Sequence, residues 1–108
     1  MVNNRNNKFG AIRTTIDGIT FASKAEATRY AELRLMVMGN IISELELQPK
    51  YPIVINGMKV CTYVGDFKYR NERGAIVIED VKGMKTPVYK LKKKLMAAFG
   101  VEIVEITK

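Results

Sequence analysis

The spacing of apolar positions changes along the chain, and each change marks an element. From Ser23 to Met38 the spacing is helical, with Glu26, Tyr30, Leu33 and Val37 on one stripe. Ser23 is a good N-cap, Glu26 three residues on completes a capping box, and Gly39-Asn40 ends the helix. A second helical stretch starts at Thr86-Pro87, runs to about Phe99 and stops at Gly100. Its expected buried stripe is Val88, Leu91, Leu95 and Phe99, with lysines on the other faces. Elsewhere the period is two. Ile41–Leu47 alternates apolar and acidic residues, and Val101–Ile106, VEIVEI, alternates in part. Tyr51–Ile55 and Met58–Tyr63 flank Asn56-Gly57, the strongest hairpin signal in the chain. The second arm runs on into a strand, Tyr63–Tyr69, that contains Asp66. Asn71–Gly74 turns the chain into an apolar run, Ala75–Lys82, and Gly83-Met84-Lys85 follows as a loop. A smaller hairpin is expected over Ala11–Phe21, around Asp17-Gly18.

This order predicts an α+β (or α/β) layer fold, with two main helices packed on a mixed sheet. Met1–Gly10 is rich in Asn, Arg and Lys and has little to bury, so it is expected to be a flexible basic arm. Residues 11–108 form one domain.

The alternation also aligns charged groups. Asp80 and Lys82 share a strand face with Ile76 and Ile78, and Asp66 shares one with Val64 and Thr62. A hairpin between the two strands brings Asp66 beside Asp80, with Lys82 next to both. Two readings are open at this point. The acids close strand ends and Lys82 pairs with one at the surface, or carboxylates on apolar faces are compensated by a divalent cation such as Mg²⁺. Glu26 is ambiguous too: capping alone explains it, yet its stripe aims it at the sheet.

Composition narrows the chemistry. The 108 residues include no histidine and a single cysteine, Cys61. Serine and cysteine triads, histidine–zinc sites and internal disulfides are thereby excluded. Catalysis, if present, runs on carboxylates, lysine, tyrosine or serine. A net charge of +7 favours a polyanionic partner, nucleic acid first. No apolar run approaches the length of a membrane span and no basic-then-apolar leader is present, so a non-membrane protein of the cytoplasm is expected.

Glu26, Asp66 and Asp80-Val81-Lys82, in this order on these elements, resemble the PD-(D/E)XK nuclease superfamily. More closely, the chain is similar to small phage and prophage proteins of that superfamily, described as endonucleases or Holliday-junction resolvases. The likeness is carried by DGITFASKAEATRYAEL, ISELELQPKY, TYVGDFKY and IEDVKGMKTPVYKLKKKL, spanning Asp17 to Leu95. One departure stands out: Gly65 precedes Asp66 where the pattern has proline.

The resemblance implies a restriction-endonuclease-like core and metal-dependent hydrolysis of DNA, structure-selective for branched or junction-containing substrates, in the host cytoplasm if the chain is phage-encoded. Asp66, Asp80 and the Val81 carbonyl would hold Mg²⁺ or Mn²⁺, with Glu26 as a further direct or water-mediated ligand. Lys82 would orient the attacking water or offset transition-state charge. Gln48 and Tyr89 are weaker site-lining candidates. Glu79 faces away from Lys82 and is expected to be a surface group or one behind the site. Phosphate contacts are expected from Lys24, Arg29, Lys85, Lys90, Lys92, Lys93 and Lys94. Symmetric cutting of a junction implies a homodimer. The alternatives are a non-catalytic nucleic-acid-binding module on the same fold and, more remotely, a small protein-interaction domain.

Overall fold

A computed structural model of the chain describes residues 13–82 and 85–107. The expected arm at Met1–Gly10, the start of the first hairpin at Ala11 and Ile12, and Gly83 and Met84 of the expected loop lie outside the described residues.

Two hairpins form where the sequence supplies left-handed backbone. Between β1 (Thr14–Ile16) and β2 (Ile19–Phe21), Asp17 and Gly18 adopt φ of 53° and 76°. Between β4 (Lys50–Ile55) and β5 (Met58–Val64), Asn56 and Gly57 adopt 51° and 77°. Both pairs match the type I′ turn that suits the right-handed twist of paired strands. Helix α1 (Lys24–Met38) begins where expected: the Ser23 side chain accepts the Glu26 N–H at 3.1 Å. Ala27, Tyr30 and Leu33 are buried. The Tyr30 hydroxyl donates to Asp17 Oδ2 at 3.1 Å and its ring lies 5.0 Å from that of Phe21, so the first hairpin is pinned to α1.

The central sheet has the order β3 (Ser43–Leu47), β6 (Phe67–Arg70), β7 (Ile76–Val81), β8 (Ile103–Ile106). β3–β6 and β6–β7 are antiparallel, whereas β7–β8 is parallel and is connected through α2 (Pro87–Ala98). The fold is therefore α+β with a mixed central sheet, as the pattern predicted.

The strand expected to run unbroken through Asp66 is interrupted. β5 ends at Val64 and β6 starts at Phe67, and β4–β5 forms a separate two-stranded sheet. The break is a bend, since pairing continues across it: Gly65 N–H donates to Pro49 O at 3.0 Å and Gln48 N–H to Asp66 O at 2.9 Å. Gly65 is needed at the bend for close approach. A Cβ there would stand 3.1 Å from Ile78 Cγ2 and 3.4 Å from both Pro49 Cγ and Tyr63 Cε2. The same N–H donation explains why proline does not precede Asp66 in this chain.

Two cores flank the sheet. α1 and the first hairpin pack on Phe67, Tyr69, Val77 and Val81. α2 and the β4–β5 hairpin pack around Ile78, Ile103, Tyr63 and Ile53. Here the expected buried stripe of α2 is corrected. Val88, Leu91 and Phe99 are 62%, 59% and 53% exposed, Leu95 is partly buried, and Tyr89 and Met96 are the buried residues. The helix is turned by about one residue because the ring of Tyr89 enters the core while its hydroxyl reaches Glu105 on β8. Lys92 and Lys93, both half-buried, stand on the same side of the helix as Tyr89 and Met96, so a count of apolar residues misses that side.

Candidate active site

The site forms where β6 begins and β7 ends. Phe67 pairs with Glu79, so one step further out Asp66 stands opposite Asp80. Asp66 N–H donates to Glu79 O at 3.0 Å, and Asp66 Oδ2 accepts the Val81 N–H at 2.7 Å. Asp66 therefore does close a strand end, but it does so facing a second acid. Asp80 is only 2% exposed. Its Oδ2 accepts the Tyr63 hydroxyl at 2.5 Å and its Oδ1 lies 3.1 Å from Lys82 Nζ. The Lys82 ammonium also lies over the Tyr89 ring, 4.3 Å from its centroid. The Tyr89 hydroxyl in turn donates to Glu105 Oε2 at 2.8 Å.

Two carboxylates face across the ladder, and the Lys82 ammonium paired here is bound to Asp80. Burial pushes the Asp66 carboxyl up to about 7, helped by the charges of Glu26 and Asp80, against the Val81 N–H that favours the ion. Glu26 is raised as well, by burial first and then by Asp80, with Lys82 opposing. Glu26 sits in the first turn of α1, which covers the other face of the sheet, yet it feels both Asp80 and Lys82. The fold thus brings Glu26, Asp66, Asp80 and Lys82 into one electrostatic group.

The donors suit a hard cation. Mg²⁺ takes one or two carboxylates and completes its shell with water and phosphate oxygens. Asp66 and Asp80 supply such a pair. Among the described residues, no group of three or more acidic, histidine or cysteine side chains is arranged to hold a metal ion. Glu26 fits better as a water-mediated neighbour. Beside Asp80 and Lys82 opens a cavity of about 230 Å³, walled by Thr62, Val64, Val88, Tyr89 and Lys92. Tyr89 lines it as expected. Gln48 touches the site only through its backbone bond to Asp66, and its side chain is exposed.

The family model described as "Protein of unknown function (DUF1064)" matches residues 6–104. The chain belongs to the DUF1064 family. Comparison with curated proteins and with solved structures gave no match. The DUF1064 match spans every residue of the candidate site, from Lys24 to Glu105 apart from the last, which lies one residue beyond it.

Several expected roles change in this DUF1064 chain. Glu79 is not a surface group: it is 1% exposed and bonded bidentately by Arg29, Nε to Oε1 at 2.8 Å and a terminal nitrogen to Oε2 at 2.7 Å. The Tyr69 hydroxyl donates to the same carboxylate at 2.5 Å. Arg29, expected on an outer face to meet phosphate, is instead held in this pair and by Glu32 at 3.1 Å. Lys85 and Lys93 both pair with Glu105, at 2.9 and 3.2 Å, which holds the Glu105 carboxyl well below the usual range. Lys92 donates to Thr62 O at 3.0 Å on the cavity wall. Lys24, Lys90 and Lys94 are exposed as expected. Tyr63 and Glu105 belong to the site network but escaped the sequence reading. A signal existed for Tyr63, since a tyrosine buried in an apolar strand needs a partner for its hydroxyl. Glu105 gave one as well, since two residues on from Ile103 it shares the inward face of the last strand.

Proposed function

We propose that the chain is a Mg²⁺- or Mn²⁺-dependent DNA endonuclease of PD-(D/E)XK type, selective for branched or junction-containing DNA and acting in the cytoplasm. The observation that carries this reading is Asp66 opposite Asp80, with Lys82 salt-bridged to Asp80 at 3.1 Å and Glu26 coupled to the same group. Asp66, Asp80 and the Val81 carbonyl would hold the cation, with Glu26 reaching it through water. Such a cation, when bound, would lower the pKa of a water toward neutral and offset charge on the phosphoryl oxygens.

The chain's own groups do the rest. Tyr63 fixes one oxygen of Asp80 and Lys82 engages the other, so the carboxylate cannot rotate. Lys82, half-buried and braced by Asp80 and the Tyr89 ring, orients a water or offsets charge that grows on the phosphate. Exposed Lys90 and Lys94 engage flanking phosphates. Cutting both strands of a junction requires a twofold homodimer.

A second reading, a nucleic-acid-binding module that does not cut, has one observation in its favour: no three acids among the described residues stand together around a cation position. The test is incubation of the full chain with branched, linear and single-stranded DNA in Mg²⁺, Mn²⁺ or EDTA, alongside Asp80→Asn and Lys82→Ala. Cutting that needs metal and is lost in both variants, with DNA binding retained, is the expected result. Binding without cutting under every metal supports the module, and persistent cutting by both variants overturns the site.

A further inference from the structure

The two segments that contribute Thr62, Val64, Val88 and Lys92 to the cavity beside Asp80 and Lys82 carry charge of one sign. Residues 48–65 and 86–99 contain Lys50, Lys59, Lys90, Lys92, Lys93 and Lys94 and not one acid. They are also apolar where they should be polar: Val64, Val88 and Leu91 are 47%, 62% and 59% exposed. Val64 and Val88 both line the cavity, and Leu91, outside the lining, continues the exposed side of α2 one turn on from Val88. Lys50 pairs in register with Val64, Lys92 lines the cavity, and Lys94 follows Leu91 by three residues. The groove opens on Asp80, Lys82 and Tyr89, so whatever fills it lies beside the reacting group.

The charge calls for a polyanion, and the apolar strip calls for one with exposed apolar faces. A paired duplex offers phosphates but hides the faces of its bases in the stack. An unpaired strand offers both, and apolar side chains are suited to hold extruded or unstacked bases. We propose that the groove lined by Val64 and Val88, extended by exposed Leu91 on α2, binds the unpaired strand adjoining the scissile phosphate, bases against these three side chains and phosphates toward Lys50, Lys92 and Lys94. This rests on the nucleic-acid reading above and names its substrate class: the junction between duplex and single strand. A second copy of the chain fits the strip less well, because a twofold contact would bring the two lysine sets together. An anionic lipid surface matches the charge but has no use for a groove that ends on a buried carboxylate.

The test is fluorescence anisotropy of the full chain in EDTA, so that cutting cannot interfere. The probes are a blunt duplex, the same duplex with a single-stranded flap, and the single strand. Tighter binding of the flap by about tenfold is expected. The double variant V88S/L91S should abolish that preference and leave duplex affinity unchanged. Both side chains are mostly exposed, so folding should survive; if the double variant melts early, the single variants L91S and V88S are read instead. An unchanged preference in the variants overturns the proposal. So does a dimer in light scattering that these variants dissociate, or binding to phosphatidylserine vesicles that they abolish. Asp80→Asn separates the two claims. Loss of cutting with flap preference intact supports both, whereas flap preference without any cutting in Mg²⁺ supports the groove alone.

Discussion

The Lys82 ammonium lies 4.3 Å from the centroid of the Tyr89 ring and 3.1 Å from Asp80 Oδ1. The ammonium is therefore held by the ring and by the Asp80 carboxylate together. A desolvated cation–π contact contributes about 0.5–2 kcal/mol. If Lys82 acts in the transition state, Tyr89→Leu should slow single-turnover cleavage about 2- to 30-fold at saturating DNA, which is that range expressed as a rate. Tyr89→Phe keeps the ring and loses only the bond to Glu105, so its rate should stay nearer the parent. Equal losses in the two variants would place the effect in the hydroxyl rather than the ring.

Asp66 gives the fold a pH dependence of defined sign. Its carboxyl is raised from 3.8 to about 7, by burial before the charges of Glu26 and Asp80. At this group the folded protein then binds more protons than the unfolded chain between these values, so the contribution of Asp66 to stability is full below about 3.8 and is lost as pH rises through about 7. Glu26, also raised, adds in the same direction. Glu105 is lowered to about 2 and so acts only at more acidic pH. Without metal, the melting temperature should drop by roughly 4 °C or more from pH 5 to pH 8, and Asp66→Asn should flatten that slope. Added Mg²⁺ should raise the melting temperature more at pH 8 than at pH 5, because at the lower pH protons compete for the same oxygens.

The turns, caps and strand faces were legible because each rests on local chemistry. Asp17-Gly18 and Asn56-Gly57 can adopt the left-handed pair a tight hairpin needs, and Ser23 and Thr86 cap their helices through their own side chains. The meeting of Asp66 and Asp80 was legible for a related reason, since a short turn at Asn71–Gly74 fixes register, and register fixes faces. What stayed hidden depends on contacts between distant elements. Arg29 looks like a surface arginine until Glu79, fifty positions later, is folded beneath it. The rotation of α2 follows from Glu105 capturing Tyr89, a contact no helical period encodes. The bend at Gly65 is set by Ile78 on a neighbouring strand.

That bend predicts a steric response. At Gly65 an added methyl would sit 3.1 Å from Ile78 Cγ2, on a strand held on both sides by the sheet. Gly65→Ala should therefore cost about 1–3 kcal/mol by overpacking. Gly65→Pro should cost more, because it also deletes the N–H that donates to Pro49 O. Urea unfolding would show both as lowered midpoints at constant slope, and an unperturbed Gly65→Pro would mean that the ribbon does not bend here.

The Arg29–Glu79 pair makes a claim about the fold, and a test of it also bears on DNA. Glu79 is 1% exposed and the Arg29 side chain 19%, so the carboxylate depends on the guanidinium for neutralisation. Removing the arginine strands a buried charge, and Arg29→Ala should destabilise by about 3–5 kcal/mol. Arg29→Lys should recover little, since a point ammonium cannot bond both carboxylate oxygens at once. Replacing both partners, Arg29→Met with Glu79→Leu, should restore much of the loss, although the Tyr69 hydroxyl then loses its carboxylate acceptor. Chemical denaturation of the three variants measures the cost, and DNA affinity measured on the folded double variant separates it from binding. Because Arg29 is engaged by Glu79 and Glu32, that affinity should match the parent, whereas a marked drop would return Arg29 to the phosphate-contacting set.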